Sequence, residues 1–259
     1  VLEPCVSAQP INRERVLSSK VPTTVYVRPW LADEEGWETV GETPGDVAMP
    51  AEGEVRISAR IDDAMAAALA AELVDAGPVH QLDLSYSPIS DQGLSPLLGL
   101  PELAVLNLSR TRISDTSLGR LGDLQLRELS LWGVEGISDE GVATLEPCHR
   151  LRSLDLGRSP GVGDAGLRAL QQLPALAHLG LAATRVTDRG LRWVGALPAL
   201  RSLDLSATGI TGRGLDDLAA SVSLVSLDLS GCVGLRPEGL VSLRALTGLE
   251  ELQLGRCGL

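Results

Sequence analysis

Phenylalanine is absent from this chain of 259 residues, and Trp and Tyr together supply only 2% of it. A core anchored on aromatic rings is thereby excluded, and aliphatic packing must carry whatever fold forms. Lysine is nearly missing too: Lys20 stands alone against many arginines, a pattern read as biased genome composition. No stretch is long and apolar enough to read as a membrane span, and the amino end lacks the basic-then-apolar order of a secretory signal. Four cysteines, Cys5, Cys148, Cys232 and Cys257, stand without CxxC pairs or histidines at metal spacing. Neither a zinc site nor a disulfide framework is indicated, and reduced thiols are expected. The formal charge of −12 argues against a nucleic-acid backbone or an anionic membrane as the main partner, since both would repel it. A cytoplasmic protein is expected from these absences, and the start at Val1 suggests a processed or trimmed product.

What the chain does have is leucine, and nearly all of it falls after residue 78. Aligning the chain on Leu exposes a repeat of 23 to 25 residues. Its clearest copies are LRELSLWGVEGISDEGVATLEPCHR (126 to 150), LRSLDLGRSPGVGDAGLRALQQLPA (151 to 175) and LVSLDLSGCVGLRPEGLVSLRALTG (224 to 248). VHQLDLSYSPISDQGLSPLLGLPE (79 to 102) opens the series and LEELQLGRCGL (249 to 259) is a final half. Each LxxLxL segment alternates apolar and polar residues, as a strand with one buried face does. A small or polar residue follows (Ser87, Thr111, Ser159, Thr184, Thr208, Cys232, Cys257), where the chain leaves the strand and needs a side chain able to bond local backbone. Next comes an apolar residue and then Asp91, Asp115, Asp139, Asp164 or Asp188, expected to cap a short helix of GLxxL type. Leu pairs three apart, such as Leu167 with Leu170, share the helix's inward face. One unit cannot bury its own apolar side, but a stack of eight can.

Over residues 79 to 259 the chain resembles the leucine-rich repeat proteins, and LVSLDLSGCVGLRPEGL is most similar to the cysteine-containing subclass with its LxxLxLxxCxxITDxGL pattern. The resemblance implies an α/β fold, a right-handed leucine-rich-repeat solenoid with parallel strands on the concave face and short helices on the convex one. The subclass often serves as the substrate receptor of F-box ligases, but the first 78 residues do not read as the helical F-box module, so that function is not carried over.

Ahead of the repeats, residues 1 to 22 mix Pro, Ser, Arg and Glu without period and are expected to form an extended or mobile arm. TTVYVRPW (23 to 30), WETVGE (37 to 42) and EVRISARI (54 to 61) alternate as strands, giving a small β-rich element over 23 to 53. VGETPGDVAMPAEGEVRISA (40 to 59), which runs past its end, resembles the short β-sandwich repeats called PEGA. DDAMAAALAAELVDAG (62 to 77) is Ala-rich, Asp-led and Gly-ended, a helix. Strand and helix together make 54 to 78 a degenerate repeat capping the array, followed by seven full repeats and one half.

Two strings look enzymatic and sit in one repeat. Gly157 to Gly161 spell GxSxG after a strand, the setting of a hydrolase nucleophile. Ser159 nevertheless holds the slot that Thr184 and Thr208 hold elsewhere, and neither His178 nor His149 is placed to serve it. Gly161, Gly163 and Gly166 spell GxGxxG, yet ISDEG and VTDRG occupy the same place in other repeats. No catalytic residue, cofactor or metal is therefore expected, and Asp204 with Asp228 make a poor calcium site.

Outward strand positions remain for function. Tyr86, Arg110, Trp132 and Arg158 fall late in consecutive strands, interleaving two aromatics with two guanidiniums in a chain that has few aromatics. Such residues dominate interface hot spots. Arg127 and Arg152 run along the early-strand column with His178 beside it, and Asp155 belongs to the acidic middle column Asp83, Asp155, Asp204 and Asp228. These eight, Tyr86, Arg110, Trp132, Arg158, Arg127, Arg152, His178 and Asp155, are the candidate partner-binding residues of a non-enzymatic protein-interaction scaffold. The alternative is a regulatory or targeting segment of a larger enzyme. The final half repeat leaves Leu252 and Leu254 on an open edge, which invites contact with another chain or self-association.

Overall fold

The computed structural model describes residues 16–28, 36–49 and 53–259. Strands β1 (Val16–Ser19), β2 (Thr23–Arg28), β3 (Glu38–Glu42), β4 (Gly45–Ala48) and β5 (Glu54–Ala59) precede helix α1 (Asp63–Ala76). Short strands then recur once per repeat: β6 (Gln81–Asp83), β7 (Val105–Asn107), β8 (Glu128–Ser130), β9 (Ser153–Asp155), β10 (His178–Gly180), β11 (Ser202–Asp204), β12 (Ser226–Asp228) and β13 (Glu251–Gln253). Between them lie α2 (Asp91–Leu97), α3 (Asp115–Leu121), α4 (Asp139–Ala143), α5 (Asp164–Leu170) and α6 (Leu191–Val194), then two 3-10 helices, Leu215–Ala220 and Pro237–Ala245.

Strands β5 to β13 lie side by side in sequence order, each parallel to the next, and β2 and β3 extend the same sheet antiparallel beyond β5. The alternation fixes which face is buried: Leu82, Leu106, Leu129, Leu154, Leu179, Leu203 and Leu227 stand in one register column, all 2% exposed or less. Leu252 ends the column on the edge strand and is 41% exposed. Burying one such side chain contributes about 1.5–3 kcal/mol. Strands stack about 4.8 Å apart whereas packed helices need about 8–10 Å, so the sheet takes the inside of the bend.

Of the arm expected over residues 1 to 22, the structure describes residues 16 to 22, and these include a strand. Val16–Ser19 pair antiparallel with Gly45–Ala48, and Leu17 is fully buried, as are Val25 and Met49 nearby in the core. A four-residue alternating segment was too short to stand out from its polar surroundings; residues 1–15 lie outside those described. Strand β5 pairs with β6 in the register that the later strands follow, and α1 packs on α2.

The residue after each strand turns inward. Ser159 Oγ donates to the Leu131 carbonyl of the preceding turn at 3.2 Å, and Cys232 Sγ does the same to Leu205 at 3.2 Å. Thr184 and Thr208 instead donate to their own turns, at Leu181 (2.6 Å) and Leu205 (2.5 Å). Cys148, Cys232 and Cys257 are free thiols, and burial pushes Cys148 up to about 11.

The aspartates expected to cap their own helices do something else. Ser90, Ser114, Ser138 and Thr187 are the caps, each accepting an amide two residues on. The aspartate that follows reaches forward to the next turn: Asp91 accepts the Ser114 amide (2.8 Å) and hydroxyl (2.5 Å), and Asp115 accepts those of Ser138 (2.8 and 2.6 Å). Asp63 of α1 makes the same pair of bonds with Ser90, which places α1 in the ladder. A carboxylate at N1 points away from its own amides, whereas the next turn brings unpaired ones within reach.

Candidate partner-binding surface

As the chain leaves each repeat strand it adopts left-handed backbone at one position: Tyr86 (φ 60°), Arg110 (59°), Gly133 (70°), Arg158 (55°), Ala183 (53°), Ala207 (54°), Gly231 (73°) and Arg256 (57°). The geometry is imposed by the stack, because the amide at this position donates to the following turn, as from Arg110 to Trp132 O at 2.8 Å and from Arg158 to Ala182 O at 2.7 Å. Left-handed backbone costs about 1–2 kcal/mol for a residue with a Cβ, and glycine would avoid it. Four bulky residues, Tyr86, Arg110, Arg158 and Arg256, therefore occupy a slot where glycine is cheaper, and they lie on one rim of the sheet.

Arg110, Trp132 and Arg158 meet there. The Arg110 guanidinium carbon stands 4.6 Å from the Trp132 ring centre and that of Arg158 stands 5.3 Å from it. Two glycines make room for the stack. A Cβ on Gly133 would come within 3.0 Å of Arg110 Cδ and Nε, and one on Gly157 within 2.8 Å of Trp132 Cδ1. Tyr86, 58% exposed, lies under Arg60, whose guanidinium is 5.7 Å from its ring. Arg60 is the member the sequence reading missed. It directly follows β5, in a repeat too degenerate to align, and only the parallel pairing of β5 with β6 brings it into line.

The remaining candidates are dispersed. Arg127 is 3.2 Å from Glu54, which also binds Arg28 at 2.5 Å, so Arg127 ties the third repeat back to the amino-terminal strands. Burial works against the Glu54 charge, but the two guanidiniums outweigh it and hold the carboxyl below its ordinary range. Arg152 is exposed beside Arg127, Arg150 and His149 around a cleft of about 630 Å³. His178 is exposed at the start of β10. Asp155 is half-buried at the end of β9 and accepts the Gly157 amide at 2.9 Å. Burial, with the Asp204 charge adding to it, raises its pKa.

That Asp155 bond recurs through the acidic column. Asp83 accepts from Ser85, Asp204 from Ser206 and Asp228 from Ser230, at 2.7–3.0 Å. Asn107 does the same to Ser109 at 3.0 Å. A carboxylate or amide oxygen two residues before a turn amide is an Asx turn, so this column shapes the exit from each strand. Among the described residues no group of three or more His, Cys, Asp or Glu could hold a metal ion.

Both enzyme-like strings resolve into repeat architecture. Ser159 is completely buried and its hydroxyl is spent on Leu131 O. In the glycine string, the Gly163 and Gly166 amides that would cradle a phosphate donate instead to Asp139 of the preceding turn, at 2.7 and 3.0 Å. Gly161 runs so close to the Ile137 carbonyl that no side chain fits. Trp193 is half-buried on the helix side, with the Arg192 guanidinium 4.6 Å from its ring. No helix among the described residues is long and apolar enough to cross a membrane.

Comparison with known proteins agrees with this architecture. The sequence profile described as Leucine Rich repeat matches residues 78–98, 148–170, 197–219 and 220–243. Among solved structures, internalin C2 from Listeria monocytogenes is similar to this chain with a TM-score of 0.61 and 22% identity, over 77% of this chain and 80% of that one. A second internalin of the same organism, InlF, gives a TM-score of 0.52 and 23% identity, over 69% of this chain and 55% of that one.

Proposed function

We propose that this chain, a leucine-rich repeat protein, is a non-enzymatic scaffold that binds a partner protein on the sheet side of its solenoid. The observation that carries the reading is the Arg110, Trp132, Arg158 stack, seated on Gly133 and Gly157, with both arginines held on left-handed backbone where glycine would cost less. A large aromatic between two guanidiniums, fixed before contact, loses little ordering entropy on binding. The sheet supplies the base of the surface, including a groove of about 370 Å³ bordered by Asp83, Asn107, Glu128 and Asp155. Beyond Arg158 the rim flattens to Ala182, Ala183, Ser206 and Ala207, room for partner side chains. Arg127, Arg152, His178 and Asp155 belong to the reading as flanking contacts, with Arg127 and Asp155 also serving the fold. The free thiols of Cys148 and Cys232 suit a reducing cytoplasm.

The test is capture of the native partner from source cells with wild type and with an Arg110→Ala, Trp132→Ala double variant. Capture should be lost while the melting curve moves little, since both side chains lie outside the core. Undiminished capture by the double variant would remove the rim from the function. Cross-linking from Ser202 on the sheet side, set against Arg168 on a helix, locates the bound face independently.

A further inference from the structure

The rim carries a charge pattern at odds with the rest of the chain. Net charge is −12, yet Arg60, Arg110 and Arg158 form no ion pair among the described residues; the four ion pairs found there engage Arg28, Arg56, Arg127 and His80. The two exit positions of each turn, which read Ser-Tyr, Ser-Arg, Trp-Gly, Gly-Arg, Ala-Ala, Ser-Ala and Ser-Gly from 85 to 231, contain no carboxylate. The nearby aspartates of the sheet are turned to their own Asx bonds. Stacking on Trp132 and Tyr86 orients the guanidiniums while leaving their in-plane N–H groups for a ligand.

From this we infer that the rim formed by Arg60, Tyr86, Arg110, Trp132 and Arg158 receives an extended acidic segment of a partner protein. The inference rests on the scaffold reading above and names the chemistry of its partner. Distances to Trp132 put the Arg110 and Arg158 guanidinium carbons within about 10 Å of each other. Same-face carboxylates two residues apart in an extended chain are separated by about 7 Å, within the reach of two flexible arginines. A planar guanidinium pairs with a carboxylate through two parallel hydrogen bonds, which a lysine cannot reproduce. A nucleic acid is the weaker occupant, because its dense phosphate charge would also face the aspartates of the sheet within a Debye length of about 8 Å.

Fluorescence anisotropy with the full chain tests this, using labelled peptides that alternate Ser with Glu, Gln or Lys, at about 0.15 M salt. The Glu peptide should bind saturably, at least about tenfold tighter than the Gln peptide, with affinity falling as salt rises. An Arg110→Asn, Arg158→Asn double variant should lose at least about tenfold, Asn being tolerated on left-handed backbone. The double Lys variant should fall between, since it keeps charge but not the planar fork. Should the Asn variant fold poorly, the Trp132-dependent part of the emission, taken as wild type minus Trp132→Leu, should still respond to the Glu peptide and not to the Gln peptide. No binding of the Glu peptide up to millimolar concentration, equal binding of Glu and Gln peptides, or unchanged affinity in a folded double Asn variant overturns the inference. Tighter binding of an oligothymidylate than of the Glu peptide also overturns it, in favour of nucleic acid. Partner capture that depends on Trp132 while the Glu peptide fails leaves the scaffold reading standing and removes the acidic segment alone.

Discussion

Asp164 accepts both the backbone amide and the hydroxyl of Thr187, at 2.8 and 2.6 Å, although the two residues belong to different turns of the solenoid. Thr187 in turn caps its own helical turn through the Arg189 amide. The pair thus joins neighbouring repeats through groups that would otherwise lie unpaired at a helix start. Removing a carboxylate from a charge-assisted bond costs about 1.5–3 kcal/mol, and losing a capping hydroxyl costs about 1 kcal/mol. Asp164→Ala should lower the urea midpoint clearly, Thr187→Ala less so. The double variant should fall short of their sum by about 1 kcal/mol. Strict additivity would mean that the contact does not couple the turns.

The Gly of the GL pairs at Gly93, Gly166 and Gly190 follows from the same kind of contact, each facing the Oδ1 of an aspartate in the preceding turn. A Cβ on Gly190 would stand 2.6 Å from Asp164 Oδ1 and 2.8 Å from Leu167 Cδ1. The equivalent position two turns after α1 is Ser117, whose hydroxyl bonds to Asp91 at 2.5 Å. Gly190→Ala is expected to destabilise by about 1–3 kcal/mol through overpacking, and Gly190→Ser by less, because its hydroxyl can join the carboxylate. Thermal melting of the two variants checks the order; Ala at least as stable as Ser would contradict it.

Much of the architecture was legible in the sequence because each strand position obeys one constraint: Leu154, Leu156 and their equivalents face the core in all seven full repeats, so period and face could be read together. The forward reach of Asp164 was not legible. Within a single repeat, an aspartate beside Gly or Ala ahead of a helix looks like a cap, and only stacking supplies the better-placed amide. The rim triplet was visible as residue types on consecutive strands, but Arg60 lay in a repeat without the leucine signature. Arg127 illustrates the converse. Its column placed it on the binding face, while Glu54, 73 positions away in sequence, engages it in the fold. A buried glutamate near the amino end carries no local sign of its partner.

Ser159 offers a direct separation of chemistry from packing. Its hydroxyl donates to Leu131 O in a fully buried slot where Thr184, Cys232 and the apolar Val134 also fit. Ser159→Ala should cost about 0.5–1.5 kcal/mol, the worth of one neutral hydrogen bond, and leave partner capture unchanged. Ser159→Cys should retain most of that stability, since Cys232 makes the equivalent bond. Loss of capture in a stably folded Ser159→Ala protein would be the contrary outcome.

Asp91 and Asp155 should leave opposite marks on the pH dependence of stability. Burial works to raise Asp91, but hydroxyls and amides of Ser114 and Ser117 outweigh it, so its folded pKa lies below the ordinary 3.8. Its stabilising contribution is present above about pH 4 and lost as pH falls through the folded value. Asp155 is raised by burial and by Asp204, against the Gly157 amide, so the folded state binds its proton more readily than the unfolded chain. Its ionised form therefore opposes folding at neutral pH, and protonation as pH drops towards 3.8 relieves that cost. Asp155→Asn keeps an oxygen for Gly157, as Asn107 does for Ser109, and removes the charge. The variant should melt at the same temperature as wild type or higher at pH 7, with the difference shrinking as Asp155 protonates. Asp91→Asn should be less stable at pH 7 and converge with wild type only below pH 4. A melting temperature for Asp155→Asn that drops at pH 7 and recovers in acid would reverse the assignment and make the Asp155 charge a stabilising one.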